Sequence, residues 1–215
     1  MNIVIIGICG KMGTLIYEYL KNSNRIYGID IKKHNDIPTY NSLDEIENID
    51  IIIDFSSVNS YKHLLDGIKR RIPVFSGTTG YSKEKIDELY NLAKEYNTIF
   101  IWKPNFAKGI KLFSSILKEC KDEFNILDFI EIHEKTKKDA PSGTSIMLAE
   151  ILGIDKVNIQ SIRLSFTPAI HELIFYSDSE RITLKHEIFD KKAFILGLIE
   201  EINKFGVDDN VRNII

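Results

Sequence analysis

The chain begins with an apolar strand pattern that runs directly into glycines. Asn2 to Ile6 reads NIVII, the continuous apolar run expected of a strand covered on both faces. GICGKMG follows, with Gly7, Gly10 and Gly13 at every third position, and then TLIYEYLKNS carries apolar residues at helical spacing. Strand, tight turn and helix in this order start a βαβ unit whose turn suits a phosphate group. Gly7 allows the turn, Gly10 lets backbone N–H groups approach a pyrophosphate, and Gly13 lets helix and strand pack closely.

The alternation continues. RIYGIDI predicts a second strand ending near Asp30, close to the spacing at which an acid binds an adenosine ribose. Lys32 and Lys33 follow and, with Lys11, can hold a 2′-phosphate, so NADH and NADPH both remain open. DIIIDF, PVFS and TIFIW predict three further strands, separated by the helical segments YKHLLDGIKRR and KEKIDELYNLAKEY. Five strands with intervening helices imply a Rossmann-like, doubly wound parallel sheet of the α/β class, with ligands beyond the carboxyl ends of the strands. The segments at those ends are GICGKMG, FSS, GTTG and KPNF. Gly77, Thr78 and Thr79 are expected to line the nicotinamide side of the cofactor, with Asn105 and Phe106 beside them. Ser82 is placed to cap the next helix.

The second half has a different texture. IKLFSSILKECKDEF predicts an amphipathic helix whose stripe, Leu112, Phe113, Ile116 and Leu117, is expected to enter the core. DFIEIHE alternates, with Phe129, Glu131 and His133 on one face and Ile130 and Ile132 on the other. A polar, lysine-rich loop follows, and PSGTSIMLAEIL predicts a helix whose start is marked by Pro141, Ser142, Gly143 and Thr144. Gly143 at a helix N-terminus lets a carboxylate approach bare N–H groups, Thr144 adds a hydroxyl donor, and Lys137 adds a compact positive charge. His133 titrates near neutrality and can deliver a proton. Together these residues predict an anion site with an acid beside it.

Composition narrows the classes. A net charge of -3 over 215 residues argues against a general nucleic-acid binder. Cys9 and Cys120 suit a reducing compartment, and the five histidines show no metal-ligand spacing, so no metal is expected. There is no secretory leader pattern and no apolar run long enough to span a bilayer, so the expected location is the cytoplasm, without a membrane partner.

On these motifs the chain resembles the dihydrodipicolinate reductase family. The family signature, roughly E-x-H-H-x-x-K-x-D-A-P-S-G-T, stands here as Glu131 to Thr144 with the D-A-P-S-G-T block intact. GICGKMG, GTTGY and PNFAKG match the family's other elements in order. The resemblance implies reduction of 4-hydroxy-tetrahydrodipicolinate, a small cyclic dicarboxylate, to tetrahydrodipicolinate with NADH or NADPH, in diaminopimelate and lysine biosynthesis. It implies that His133 is the general acid and Lys137 its catalytic and substrate-binding partner. Ser142, Gly143 and Thr144 would hold a substrate carboxylate. Gly7, Lys11, Met12, Gly13, Asp30, Gly77, Thr78, Thr79, Asn105 and Phe106 would lie along the cofactor.

Several positions depart from the family. Glu134 replaces its second histidine, Ile170 replaces a glycine before His171, and Asp190-Lys191 replaces a Ser-Arg pair. An acid beside an anion site is unfavourable unless it points away or pairs with a lysine. The histidines His171 and His186 are expected to be structural. The resemblance also implies a discontinuous nucleotide domain, 1–105 and 191–215, around a smaller α+β substrate domain, 106–190. The latter has an open mixed sheet that joins subunits into a homotetramer, and a hinge would close the two domains. The alternatives are another Rossmann-type reductase or dehydrogenase, and a non-catalytic nucleotide-binding sensor.

Overall fold

The computed structural model describes residues 1–124, 126–155 and 158–204. They separate into two compact units, Met1–Pro104 with the chain from Ile195 onward, and Asn105–Phe194.

Unit 1 alternates as the sequence pattern requires. Strands β1 (Asn2–Ile6), β2 (Arg25–Ile29), β3 (Thr39–Tyr40), β4 (Ile51–Asp54), β5 (Val74–Ser76) and β6 (Phe100–Trp102) form one sheet in the order β3-β2-β1-β4-β5-β6. Every pairing is parallel. Helices α1 (Lys11–Leu20), α2 (Tyr61–Lys69) and α3 (Lys83–Glu95) provide the crossovers. The sheet has six strands rather than the five that the pattern predicts. β3 is only two residues at the edge, too short to show an alternation. The order reverses between β1 and β4, and such a switch point opens a crevice at the carboxyl ends of the strands. Val4, Ile6, Ile52, Leu64, Ile68, Val74, Leu89 and Phe100 fill part of the core. Full burial of each large aliphatic side chain contributes about 1.5–3 kcal/mol. The helix α6 (Lys192–Lys204) belongs to unit 1 from Ile195 on, and there Glu201 pairs with Lys103 at 2.6 Å.

In unit 2, strands β7 (Ile126–Glu134), β8 (Ile159–Leu164), β9 (Ala169–Tyr176) and β10 (Arg181–Ile188) form a mixed sheet in the order β10-β9-β7-β8. β7 and β8 are parallel and joined through α5 (Gly143–Leu152); the other pairings are antiparallel. α4 (Lys108–Glu123) and α5 cover one face through Ile110, Phe113, Leu117, Leu148 and Leu152, packed on Phe129, Leu173 and Phe175. The opposite face leaves Ile162 and Leu164 exposed.

The predicted stripe of α4 needs correction. Phe113 and Leu117 are buried, but Leu112 is 65% exposed and Ile116 39%. Ile110, Phe113 and Leu117 follow i, i+3, i+7 spacing and complete the sheet-facing row, which leaves Leu112 and Ile116 on the flank.

Gly13 shows how tightly α1 sits on β1. A Cβ there would lie 2.1 Å from the Gly7 carbonyl oxygen and 2.7 Å from the Ile8 Cα, both backbone atoms that cannot yield alone. Gly13→Ala is expected to cost about 1–3 kcal/mol by overpacking and to weaken cofactor binding along with it. Urea unfolding and a fluorescence titration with reduced nicotinamide cofactor check both; unchanged values would show that α1 shifts freely.

Candidate active site

The glycine turn of unit 1 is fixed by sterics. Gly7 has φ +81°, and a Cβ on it would approach the Phe55 carbonyl oxygen to 2.6 Å. Gly10 precedes α1 as its N-cap and offers no side-chain cap, so the first N–H groups of α1, at Lys11, Met12 and Gly13, have no acceptor within the helix. They carry the positive end of the helix dipole, which favours negative charge. A cleft of about 350 Å³ adjoins this turn, lined in part by Gly7, Gly10, Asp30, Ile31, Ser56 and His63. Asp30 holds the turn to the end of β2: its carboxylate accepts the Cys9 and Lys32 N–H groups, each at 3.0 Å.

The loop after β5 is tied to the loop after β4. Thr78 is buried; its hydroxyl accepts the Ser56 N–H at 2.8 Å, and its carbonyl accepts the Trp102 indole N–H at 2.7 Å. Gly77 packs against the Phe55 ring, and Thr79 is exposed. Beneath them lies Asp54, which the sequence reading passes over as part of an apolar strand. It is fully buried and accepts the Ser56 hydroxyl at 2.5 Å and the Ser76 hydroxyl at 2.7 Å. Burial raises its pKa, and the hydroxyl donors only partly offset that.

The residues predicted in the second half to form an anion site come together within unit 2. His133 lies near the end of β7, buried on the helix-covered face with Phe129 and Glu131. Glu131 has no exposed surface. One of its oxygens, Oε2, accepts the Ser142 N–H at 2.9 Å and the Ser145 hydroxyl at 2.6 Å; the other, Oε1, accepts the Arg163 guanidinium at 2.7 Å. Burial alone would raise this carboxyl, but Ser142, Ser145 and Arg163 outweigh it and hold the pKa at about 2. Arg163 also donates to the Asp139 carbonyl at 2.6 Å, which fixes the loop ahead of α5.

Around this anchor the predicted residues take distinct places. Ser142 caps α5 by accepting the Ser145 N–H, so its hydroxyl is committed to the helix. Gly143 begins α5, and the buried Thr144 hydroxyl accepts an N–H from the Asn105 amide at 3.0 Å. Asn105 and Phe106 lie in unit 2, where the Asn105 carbonyl oxygen also receives the Ala107 N–H. Lys137 pairs with Asp139 at 2.9 Å, and both side chains are part-exposed. Partial burial pushes the Asp139 carboxyl up, but Lys137 more than reverses it. The His133 pKa is lowered, first by burial, with Lys137 and Arg163 adding to the effect and Glu131 and Asp139 opposing it.

His171 and His186 sit next to this group. His171 is opposite Glu131 in the register, and His186 is opposite His171. The His133 and His171 ring centres are 5.4 Å apart, edge to face. Burial, and after it the neighbouring His133, depress His171 to about 3, so it is neutral near pH 7. Glu131, His133 and His171 bring polar atoms within 4.8 Å of one another. The carboxylate of this cluster is already matched by three donors, one of them cationic.

Both halves of the chain match one family. Residues 1–106 match the family described as dihydrodipicolinate reductase, N-terminus, and residues 107–214 match dihydrodipicolinate reductase, C-terminus. The chain belongs to the dihydrodipicolinate reductase family. A 4-hydroxy-tetrahydrodipicolinate reductase from Rickettsia bellii is 32% identical, covering 93% of this chain and 86% of its own length. One from Lactococcus lactis subsp. cremoris (strain SK11) is 28% identical over 95% and 92%. The solved dipicolinate-bound dihydrodipicolinate reductase from Paenisporosarcina sp. TG-14 shares the fold, with a TM-score of 0.78 at 22% identity, covering 96% of this chain and 94% of that one.

The departures from the family signature can now be placed. Glu134 is exposed and, by strand alternation, lies on the opposite face of β7 from His133, so its charge points away from His133. The sequence reading missed Arg163 and Ser145 because their role depends on strand pairing and helix phase, not on a motif.

Asp54 gives a pH signature. Its folded pKa lies above its unfolded value, so the stability it confers is full below the unfolded pKa and falls as pH rises through the folded one. Asp54→Asn cannot ionise and is expected to gain thermal stability relative to the parent over the pH range above the carboxyl's unfolded value. A melting-temperature difference that stays flat across that range would contradict the buried acid.

Proposed function

We propose that this chain, a nicotinamide-dependent oxidoreductase of lysine and diaminopimelate biosynthesis, reduces 4-hydroxy-tetrahydrodipicolinate to tetrahydrodipicolinate, with His133 as general acid. The observation that carries the assignment of roles is the join of His133 to the α5 N-terminus through Glu131, which brings a proton source and an anion site into one buried network.

When bound, the nicotinamide supplies a hydride, so the chain's residues have to bind, orient and protonate. In unit 1, the α1 N-terminus with Lys11, Met12 and Gly13 would take the pyrophosphate, Asp30 the adenosine ribose, and Gly77, Thr78 and Thr79 the loop toward the nicotinamide. Lys32 and Lys33 beside Asp30 suit a 2′-phosphate, so NADH and NADPH both fit this reading. In unit 2, Gly143 N–H and the Thr144 hydroxyl would receive a substrate carboxylate, with Ser142 holding the helix start and Asn105 bracing Thr144. Lys137 would exchange Asp139 for the substrate's charge. The net change is uptake of one hydride and one proton with loss of water, and His133 supplies the proton. Expulsion of water from the pocket strengthens each of these interactions.

A coupled assay tests this directly. Substrate made fresh from pyruvate and aspartate semialdehyde should oxidise each reduced cofactor in the presence of the protein. His133→Gln is expected to lower kcat by about 10²–10⁴-fold while cofactor Kd stays put. Equal loss of cofactor binding would refute the role.

We also propose a cytoplasmic homotetramer joined through the open sheet face of unit 2. No helix among the described residues is long and apolar enough to cross a membrane. Ile162 and Leu164 on β8 are exposed apolar side chains on that face, the kind of surface that marks an association site. Ile162→Asp should reduce the sedimenting mass below that of the parent; an unchanged mass would place any interface elsewhere.

A further inference from the structure

Glu131 is ionised and buried where no substrate role has been assigned to it. Its two oxygens are divided between tasks. Oε1 takes Arg163, while Oε2, which takes the α5 start, also lies 3.7 Å from His133 Nδ1. That nitrogen is buried and has no hydrogen-bond partner. A carboxylate this close favours a proton on Nδ1, and a small rotation of the ring turns the contact into a charge-assisted hydrogen bond.

Charged and titratable groups face the ring from every neighbouring element. They are Glu131 on β7, Arg163 on β8, His171 on β9 with His186 of β10 behind it, and Lys137 and Asp139 from the loop before α5. Lys137 and Asp139 pair with each other, and Arg163 is matched by Glu131. His171 is 1% exposed and neutral, so it brings no charge to the ring. Glu131 is thus the one anion in this set that sits against the Nδ1 edge.

We propose that Glu131 is a positioning residue acting through His133. It holds the proton of the neutral imidazole on Nδ1, leaves Nε2 to exchange a proton with the substrate, and steadies the imidazolium before transfer. This rests on the reading of His133 as general acid. It also gives the buried carboxylate two linked duties, because the group that tunes the acid is the group that anchors the anion-binding helix start.

Removal of an anion beside an imidazolium lowers the imidazole pKa, so the basic limb of the kcat profile should move to lower pH. Glu131→Gln is expected to shift that limb by about one unit or more, with cofactor Kd unchanged. Because this variant leaves Arg163 uncompensated, the deciding variant is Glu131→Gln/Arg163→Met, which removes both charges. A limb still shifted there supports Glu131 acting on His133; a return to the parent limb assigns the shift to the stranded Arg163 and overturns the proposal. A purely structural role would lower activity without moving the limb.

A second measurement needs no variant that must fold. In ¹⁵N-histidine NMR of the unmodified enzyme, neutral His133 should be the Nδ1–H tautomer, and an Nε2–H tautomer overturns the proposal. His133→Gln serves as the control. Full turnover in it would remove the general-acid reading and this inference together. Loss of turnover with an unmoved limb in the double variant would remove this inference alone.

Discussion

The second unit depends on one buried charge. Glu131 at the middle of the mixed sheet would be costly if left alone, since a carboxylate out of water needs full compensation. Compensation comes from three directions: a guanidinium from β8, a backbone N–H from the start of α5, and a hydroxyl one turn into that helix. The donors come from two pieces of chain, β8 and the start of α5. The carboxylate therefore fixes where α5 begins relative to β7 and β8, and with it the place of Gly143 and Thr144. The functional geometry of this unit follows from satisfying that one group.

Unit 1 solves a similar problem with neutral donors. Asp54 is buried between serine hydroxyls, neutral donors that suit a carboxyl with a raised pKa. Of the serines that satisfy it, Ser56 lies in the loop after β4 and Ser76 ends β5. One acid therefore ties that loop to the end of the neighbouring strand, and Asp30 does the same for the glycine turn and the end of β2.

What could be read in advance follows from the range of each interaction. The glycine turn was legible because its strand, glycines and helix are contiguous in the sequence, and Gly13 is demanded by atoms of Gly7 and Ile8 just before it. The period-two pattern of β7 correctly placed His133 and Glu131 on one face. The partners of Glu131 were not legible, because Arg163 is brought in by a strand pairing 32 residues away. Likewise, β3 was missed because two residues carry no period, and the stripe on α4 was drawn too wide because composition alone does not say where the covered arc ends. Asp54 was hidden by its apolar neighbours, since an acid within such a run reveals its task only when the serines that meet it are known.

The uncapped start of α1 has a thermodynamic corollary. Most helices gain stability from a side chain that closes their first turn, whereas this one begins on glycine and leaves those donors to whatever anion arrives. A dinucleotide that filled the turn would act as the missing cap, and mass action would convert its concentration into fold stability. The supply of coenzyme in the cell would then govern how long this unit survives heat and proteases, as well as how fast the enzyme runs.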